Sequence, residues 1–128
     1  DERVTVAVPC CSYNSYVRPH GTLRHCPCNA IPGILAFGEY WDVAGLVAPR
    51  HLLTVNGRTD ASHPVAEVDS AVSRLKAIYA ASGHPARYDH RYGEGGHRFF
   101  GALMWPWIER AFQERSAVRR HGTTEESV

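Results

Sequence analysis

Several features that would assign this chain to a function class are scarce or absent. Its 128 residues contain no apolar run near the ~20 residues that a membrane-spanning helix needs. Lys and Arg (14) almost balance Asp and Glu (13), so the formal net charge is only +1, and no basic stripe forms. Nucleic acid and membranes are therefore not expected as partners, because both attract strongly basic proteins.

An initiating methionine is also missing, since Asp1 opens the chain. The segment that follows lacks the charged n-region of a signal peptide. We therefore expect these residues to begin inside a longer polypeptide or to follow a processing cut. The sequence leaves the compartment open.

Three segments have the composition of buried strands. They are rich in β-branched and aromatic residues, and Gly or loop-forming residues end each of them. The segments are residues 4–10, 51–56 and 86–92.

Helices are predicted between these strands. Residues 65–82 carry apolar side chains at i+3/i+4 spacing, with Pro64 at the start and Gly83 after the end. Shorter helices are expected within residues 31–37 and 41–47, and a last helix is expected with Pro106 in its first turn. Alternating strands and helices are typical of an α/β fold with a parallel sheet covered on both faces.

The domain is expected to span residues 1–115, with a polar, flexible tail at residues 116–128. Three parallel strands make a narrow sheet, and the strand at residues 4–10 would leave a hydrophobic edge open. We expect further strands of the same fold to pair with that edge, or the isolated chain to self-associate as a homo-oligomer.

Polar residues follow the second and third strands where those strands end. Asp60 lies in the loop after residues 51–56, and His97 lies in the glycine-rich loop after residues 86–92. Reactive groups of parallel sheets gather at the carboxyl ends of strands, so these two side chains should share one rim. An Asp beside a His fixes its tautomer and stabilises the imidazolium formed in acyl transfer.

The order and spacing of five segments resemble α/β-hydrolases of the dienelactone-hydrolase-like and acetyl-xylan-esterase-like type. The segments are HCP at 25–27, IPGIL at 31–35, APRHLL at 48–53, NGRTDASHP at 56–64 and GGHRF at 95–99. The resemblance covers residues 2–113 and implies the C-terminal half of a doubly wound α/β-hydrolase. It implies that Asp60 is the acid and His97 the general base of a Ser-His-Asp triad.

The nucleophile of that triad is missing. No serine lies in the G-x-S-x-G elbow that this fold places before the acid and the histidine. The resemblance therefore implies that the serine and oxyanion hole precede Asp1, in the N-terminal half of the same fold. The expected activity of the intact protein is hydrolysis of a small carboxylic ester, such as an acetyl ester, and the isolated chain should be almost inert. A peptidase of this fold is the nearest enzymatic alternative.

Other interpretations of these residues stay open. Asp60 could simply cap the helix that begins near Pro64. Glu94 is closer to His97 in sequence, but it shares the same loop and is a weaker candidate for the acid. A truncated or degenerate hydrolase fold that acts as an interaction module is the main alternative to an enzyme.

Aromatic residues near the first loop are candidates for substrate binding. The resemblance places Tyr13, Tyr16 and Tyr40 in the segment that caps the active site, although packing is an equal alternative. The three tryptophans are expected to pack in the core and against helices.

Four cysteines raise the question of a metal site. Cys10, Cys11, Cys26 and Cys28, with His20 and His25, offer zinc-type ligands, but their spacing is not C-x₂₋₄-C. Neighbouring strand residues such as the first two should point to opposite faces. We therefore expect free thiols, or at most a disulfide involving the last two, with no metal and no cofactor.

Overall fold

The computed structural model describes residue 1, residues 3–17 and 31–118, and the backbone of residues 119–122. Its strands are β1 (Val6–Ala7), β2 (His51–Gly57) and β3 (Tyr88–Gly93). Its helices are α1 (Ile34–Phe37), α2 (Tyr40–Gly45), α3 (Val65–Ala81), a 3₁₀ turn (Pro85–Arg87) and α4 (Gly101–Gly122). None of the described helices has both the length and the apolar character needed to cross a membrane.

The strands form one parallel sheet in the order β1-β2-β3, which confirms the predicted parallel arrangement of three strands. The register pairs Gly57 with Gly93, so β2 and β3 end side by side. The first strand is shorter than predicted: β1 covers two residues, and an isolated bridge from Cys10 to Val55 resumes the pairing. The described residues therefore form an α/β arrangement, in which helices flank a three-stranded parallel sheet.

Each face of the sheet has its own hydrophobic core, because neighbouring residues of β2 point in opposite directions. Leu52 packs with α3, whereas Leu53 and Val55 pack with α4. The first core consists of Tyr13, Leu52, Val68, Ala71, Val72, Leu75, Tyr79 and Tyr88. The second consists of Cys11, Leu53, Val55, Phe100, Met104 and Trp107. Burial on both faces explains why all seven residues of β2 are buried.

The last helix differs from the prediction. It begins at Gly101, so Pro106 lies inside it rather than in its first turn. The early start lets Met104 pack in the second core against β2. Pro106 lacks an amide N–H, so the helix loses one backbone hydrogen bond at that position. Trp105, which was expected to pack, is more than half exposed, and so is Phe112 of the same helix. The helical backbone continues to Gly122, so residues 116–122 extend this helix.

A partly buried histidine of β3, His90, should make the stability depend on pH. His90 Nδ1 lies 2.8 Å from Thr54 Oγ1, and its ring packs edge-on against Tyr92. Burial lowers the pKa of His90 from 6.5 to about 4. The unfolded chain therefore binds more protons than the native chain between these values, so stability falls as the pH falls through that window.

We expect His90→Asn to flatten this part of the stability profile. Between pH 6.5 and pH 4 the wild type should lose about 1–3 kcal/mol more of its unfolding free energy than the variant does. Urea denaturation at several pH values measures the difference. Equal slopes for the two proteins would show that His90 is not held neutral in the native state.

Candidate active site

Two loops at the carboxyl ends of β2 and β3 are tied together by main-chain hydrogen bonds. The amide of Arg58 donates to the carbonyl of Gly93, and the amide of Thr59 donates to the carbonyl of Gly95, both at 3.0 Å. The pairing of the sheet thus continues into the loops and fixes their separation.

Glycine is required where these loops approach. A Cβ built on Gly57 would lie 2.1 Å from the carbonyl oxygen of Gly96, which is closer than any real contact. Gly95 has a φ of +120°, a conformation that side chains with a Cβ rarely adopt. The two glycines let the loop of His97 fold back onto the end of β2.

Gly57→Ala is therefore expected to push the two loops apart. The overpacked Cβ should cost about 1–3 kcal/mol of stability and should alter the environment of the His97 ring. Gly96→Ala is the matched control, because a Cβ there meets only Thr59 O at 3.7 Å, an ordinary contact. Thermal unfolding and histidine NMR spectra of the two variants test this, and an equal effect of both substitutions would contradict it.

The tied loops bring Asp60 and His97 into contact. Asp60 Oδ2 lies 2.9 Å from His97 Nδ1. The Asp60 side chain is 1% exposed, whereas the His97 side chain is 61% exposed. The carboxylate is thus covered by protein while the imidazole faces solvent, which is the arrangement that a general base with a buried orienting acid requires.

A second histidine contacts the same carboxylate oxygen. His63 Nδ1 lies 3.1 Å from Asp60 Oδ2, and the buried His63 ring stacks on the His97 ring with centroids 5.6 Å apart. No role is predicted for His63 from the sequence. The sequence feature that could have identified His63 is its position three residues after Asp60. In the structure these residues form a tight turn, in which the His63 amide donates to the Asp60 carbonyl.

Hydrogen bonds keep Asp60 ionised. Burial alone would raise the pKa of Asp60, but its carboxylate accepts bonds from the Ser62 amide, from His63 and from His97. Together these donors hold the pKa of Asp60 below its usual value. An ionised carboxylate only accepts hydrogen bonds, so both imidazoles present an N–H at Nδ1. The Nε2 atom of a neutral His97 is then the free base.

Cys11 is the third group at this rim. It has a φ of +50°, the only positive φ among the described non-glycine residues, and this breaks the alternation of the strand. Cys10 and Cys11 therefore do not point to opposite faces as predicted: both thiols donate to the Arg98 carbonyl, at 3.4 and 3.2 Å. Ligand-type atoms of Cys11, Asp60 and His97 all lie within 4.8 Å of one another.

The other acidic residues are engaged elsewhere. Glu94, the alternative acid, has an 87% exposed side chain that pairs with Arg58 at 3.4 Å. Asp89 pairs with Arg91. Asp42 and Asp69 accept hydrogen bonds from the amide of Glu39 and the hydroxyl of Tyr92. Asp60 is thus the acid that the fold brings to His97.

The three tyrosines considered as substrate-binding residues, Tyr13, Tyr16 and Tyr40, pack together in an aromatic cluster. Tyr13 is fully buried, and its hydroxyl donates to the Ala71 carbonyl, so it belongs to the first core. Tyr16 is also buried and packs against the half-buried Tyr40, with ring centroids 4.8 Å apart.

The remaining candidate metal ligands, Cys26, Cys28, His20 and His25, lie outside the described residues. Cys10 and Cys11 are free thiols. Comparisons of the chain with protein-family models, with curated proteins and with solved structures found no match.

Proposed function

We propose that this chain supplies the acid and the general base of a carboxylic-ester hydrolase, with His97 as the base and Asp60 as the residue that orients it. The observation that carries the proposal is the 2.9 Å contact between a buried carboxylate and a largely exposed imidazole at one rim of a parallel sheet.

The proposed mechanism follows from the direction of the hydrogen bond between His97 and Asp60. His97 Nδ1 donates to Asp60, so its Nε2 accepts the proton of a serine hydroxyl as the serine attacks the ester carbonyl. The imidazolium then protonates the leaving alcohol, and an acyl-serine remains. In the second half, His97 takes a proton from the water that attacks the acyl group, and it returns this proton to the serine oxygen as the acyl C–O bond breaks and the acid leaves. Asp60 stabilises the positive imidazole in both halves, because hydrogen bonds keep the carboxylate ionised.

On this proposal the nucleophilic serine lies outside these 128 residues, because none of their serines lies in a G-x-S-x-G elbow. We propose that the N-terminal half of a doubly wound α/β-hydrolase precedes these residues in a longer polypeptide, called here the parent polypeptide. Among the described strands β1 is at the sheet edge and pairs only with β2, which leaves a place for a further strand. We propose a small acyl or acetyl ester as the substrate, because the loops that carry Asp60 and His97 resemble those of dienelactone-hydrolase-like and acetyl-xylan-esterase-like proteins in sequence.

The coding sequence upstream of Asp1 provides the first test. A G-x-S-x-G motif about 15–30 residues before Asp1, roughly one helix and a turn, supports the hydrolase. The parent polypeptide should then cleave p-nitrophenyl acetate and bind a fluorophosphonate covalently at that serine. A start codon immediately before the codon of Asp1 would instead favour a non-catalytic interaction module. A parent polypeptide with the motif but without turnover or labelling would contradict ester hydrolysis.

A further inference from the structure

We propose that Cys11, Asp60 and His97 form a binding site for a divalent transition-metal cation that accepts sulfur and nitrogen ligands, with Zn²⁺ as the foremost candidate. Each residue offers one ligand atom, and these atoms lie within 4.8 Å of one another. The proposal does not depend on ester hydrolysis, because it concerns binding by residues that the chain itself contains.

The spacing of the three donors is close to what one ion needs. Zn²⁺ binds thiolate, imidazole and carboxylate at about 2.0–2.3 Å, so tetrahedral donors lie roughly 3.3–3.8 Å apart. The present spacing of up to 4.8 Å exceeds that range by about 1.0–1.5 Å at most, and rotation of the exposed His97 side chain would close it. Three protein ligands leave a fourth coordination position for water. An ion can enter from solvent on the side of the site where His97 is exposed.

The fold builds this site from three separate strand ends. Cys11 follows β1, Asp60 follows β2 and His97 follows β3, so the sheet register holds the donors together. The αL conformation of Cys11 turns its thiol into the second core beneath the loop of His97, where it is 5% exposed. Burial of two of the three donors limits the competition from water, and Asp60 is already ionised.

Binding would release the thiol proton of Cys11 and occupy one nitrogen of the His97 imidazole. If Nδ1 is that nitrogen, the proton that it donates to Asp60 moves to Nε2. Cys11 must lose its thiol proton to become a ligand, so its hydrogen bond to the Arg98 carbonyl is replaced by the bond to the ion. The proton passes to solvent, and affinity should therefore rise with pH. An ion held by His97 would also prevent that residue from acting as a base.

The test uses the 128-residue chain under reducing conditions, in a background with Cys26 and Cys28 both replaced by Ser. These two residues, outside the described part, would otherwise supply competing thiolate ligands. Isothermal titration with Zn²⁺ measures affinity, and Co²⁺ absorption reports a thiolate bond. We expect one ion per chain, with Cys11→Ser, Asp60→Asn and His97→Ala each weakening binding by at least about tenfold.

Cys10→Ser is the matched control and should bind as the background protein does, because its thiol is not in the cluster of three. Circular dichroism verifies folding, and the exposed His97 side chain makes His97→Ala informative even where Cys11→Ser misfolds. Zn²⁺ should also protect Cys11 from iodoacetamide, as peptide mapping would show. Absence of binding in the background protein, or binding that Cys11→Ser and His97→Ala leave unchanged, would overturn the proposal.

Discussion

Replacing His97 with alanine in the parent polypeptide is expected to lower kcat for ester cleavage by about 10⁶-fold, because the serine then lacks its base. The fold should remain, since the His97 side chain is 61% exposed and its ring is absent from both hydrophobic cores. Initial rates with p-nitrophenyl acetate measure the loss, and a thermal melt checks that the variant is folded.

His84→Ala is the matched control for that experiment. His84 follows α3 and precedes β3, so it lies near the amino ends of the strands, away from the rim that holds Asp60. The control should keep wild-type turnover. Turnover retained by the His97 variant would remove the imidazole from the mechanism, whatever the control shows.

Asp60→Asn should lower kcat by about 10⁴-fold in the same protein. An asparagine can present its amide N–H to the ring and stabilise the wrong tautomer, in which Nε2 carries the proton and cannot act as a base. The substitution also removes a negative charge beside the imidazolium. KM should change far less than kcat, because the buried Asp60 carboxylate is proposed to act on the His97 ring and not on the ester.

Asp89→Asn is the control for the lost charge. Asp89 lies in β3 and pairs with Arg91, so its neutralisation leaves the carboxylate at His97 intact. Activity should stay near the wild-type value. A drop of similar size in both variants would mean that the effect of Asp60→Asn arises from charge or stability in general rather than from the contact with His97.

The sequence predicted the elements whose patterns reflect burial. The predicted helix at residues 65–82 agrees with α3 (Val65–Ala81) to within one residue. Its buried side chains, Val68, Val72, Leu75 and Tyr79, lie where the 3.6-residue period puts them. The contact of Asp60 with a histidine in the next loop followed from a general property of parallel sheets, whose carboxyl ends meet at one rim.

Features set by tertiary packing could not be predicted. The αL conformation of Cys11 places two adjacent thiols on one carbonyl, and nothing in a strand-like run of residues signals it. Tyr13 resembles a loop residue in sequence, yet α3 supplies a carbonyl for its hydroxyl and a core for its ring. Pro106 is tolerated within α4 because burial of that helix outweighs one missing hydrogen bond.

The most direct test of the pair is histidine NMR on the ¹⁵N-labelled chain of 128 residues, with a His63→Gln variant to separate the two rings. We predict that neutral His97 carries its proton on Nδ1, that this proton resonates far downfield, and that Asp60→Asn abolishes the signal. A His97 ring protonated on Nε2, with a spectrum indifferent to Asp60→Asn, would contradict the assignment of Asp60 and His97 as an acid–base pair.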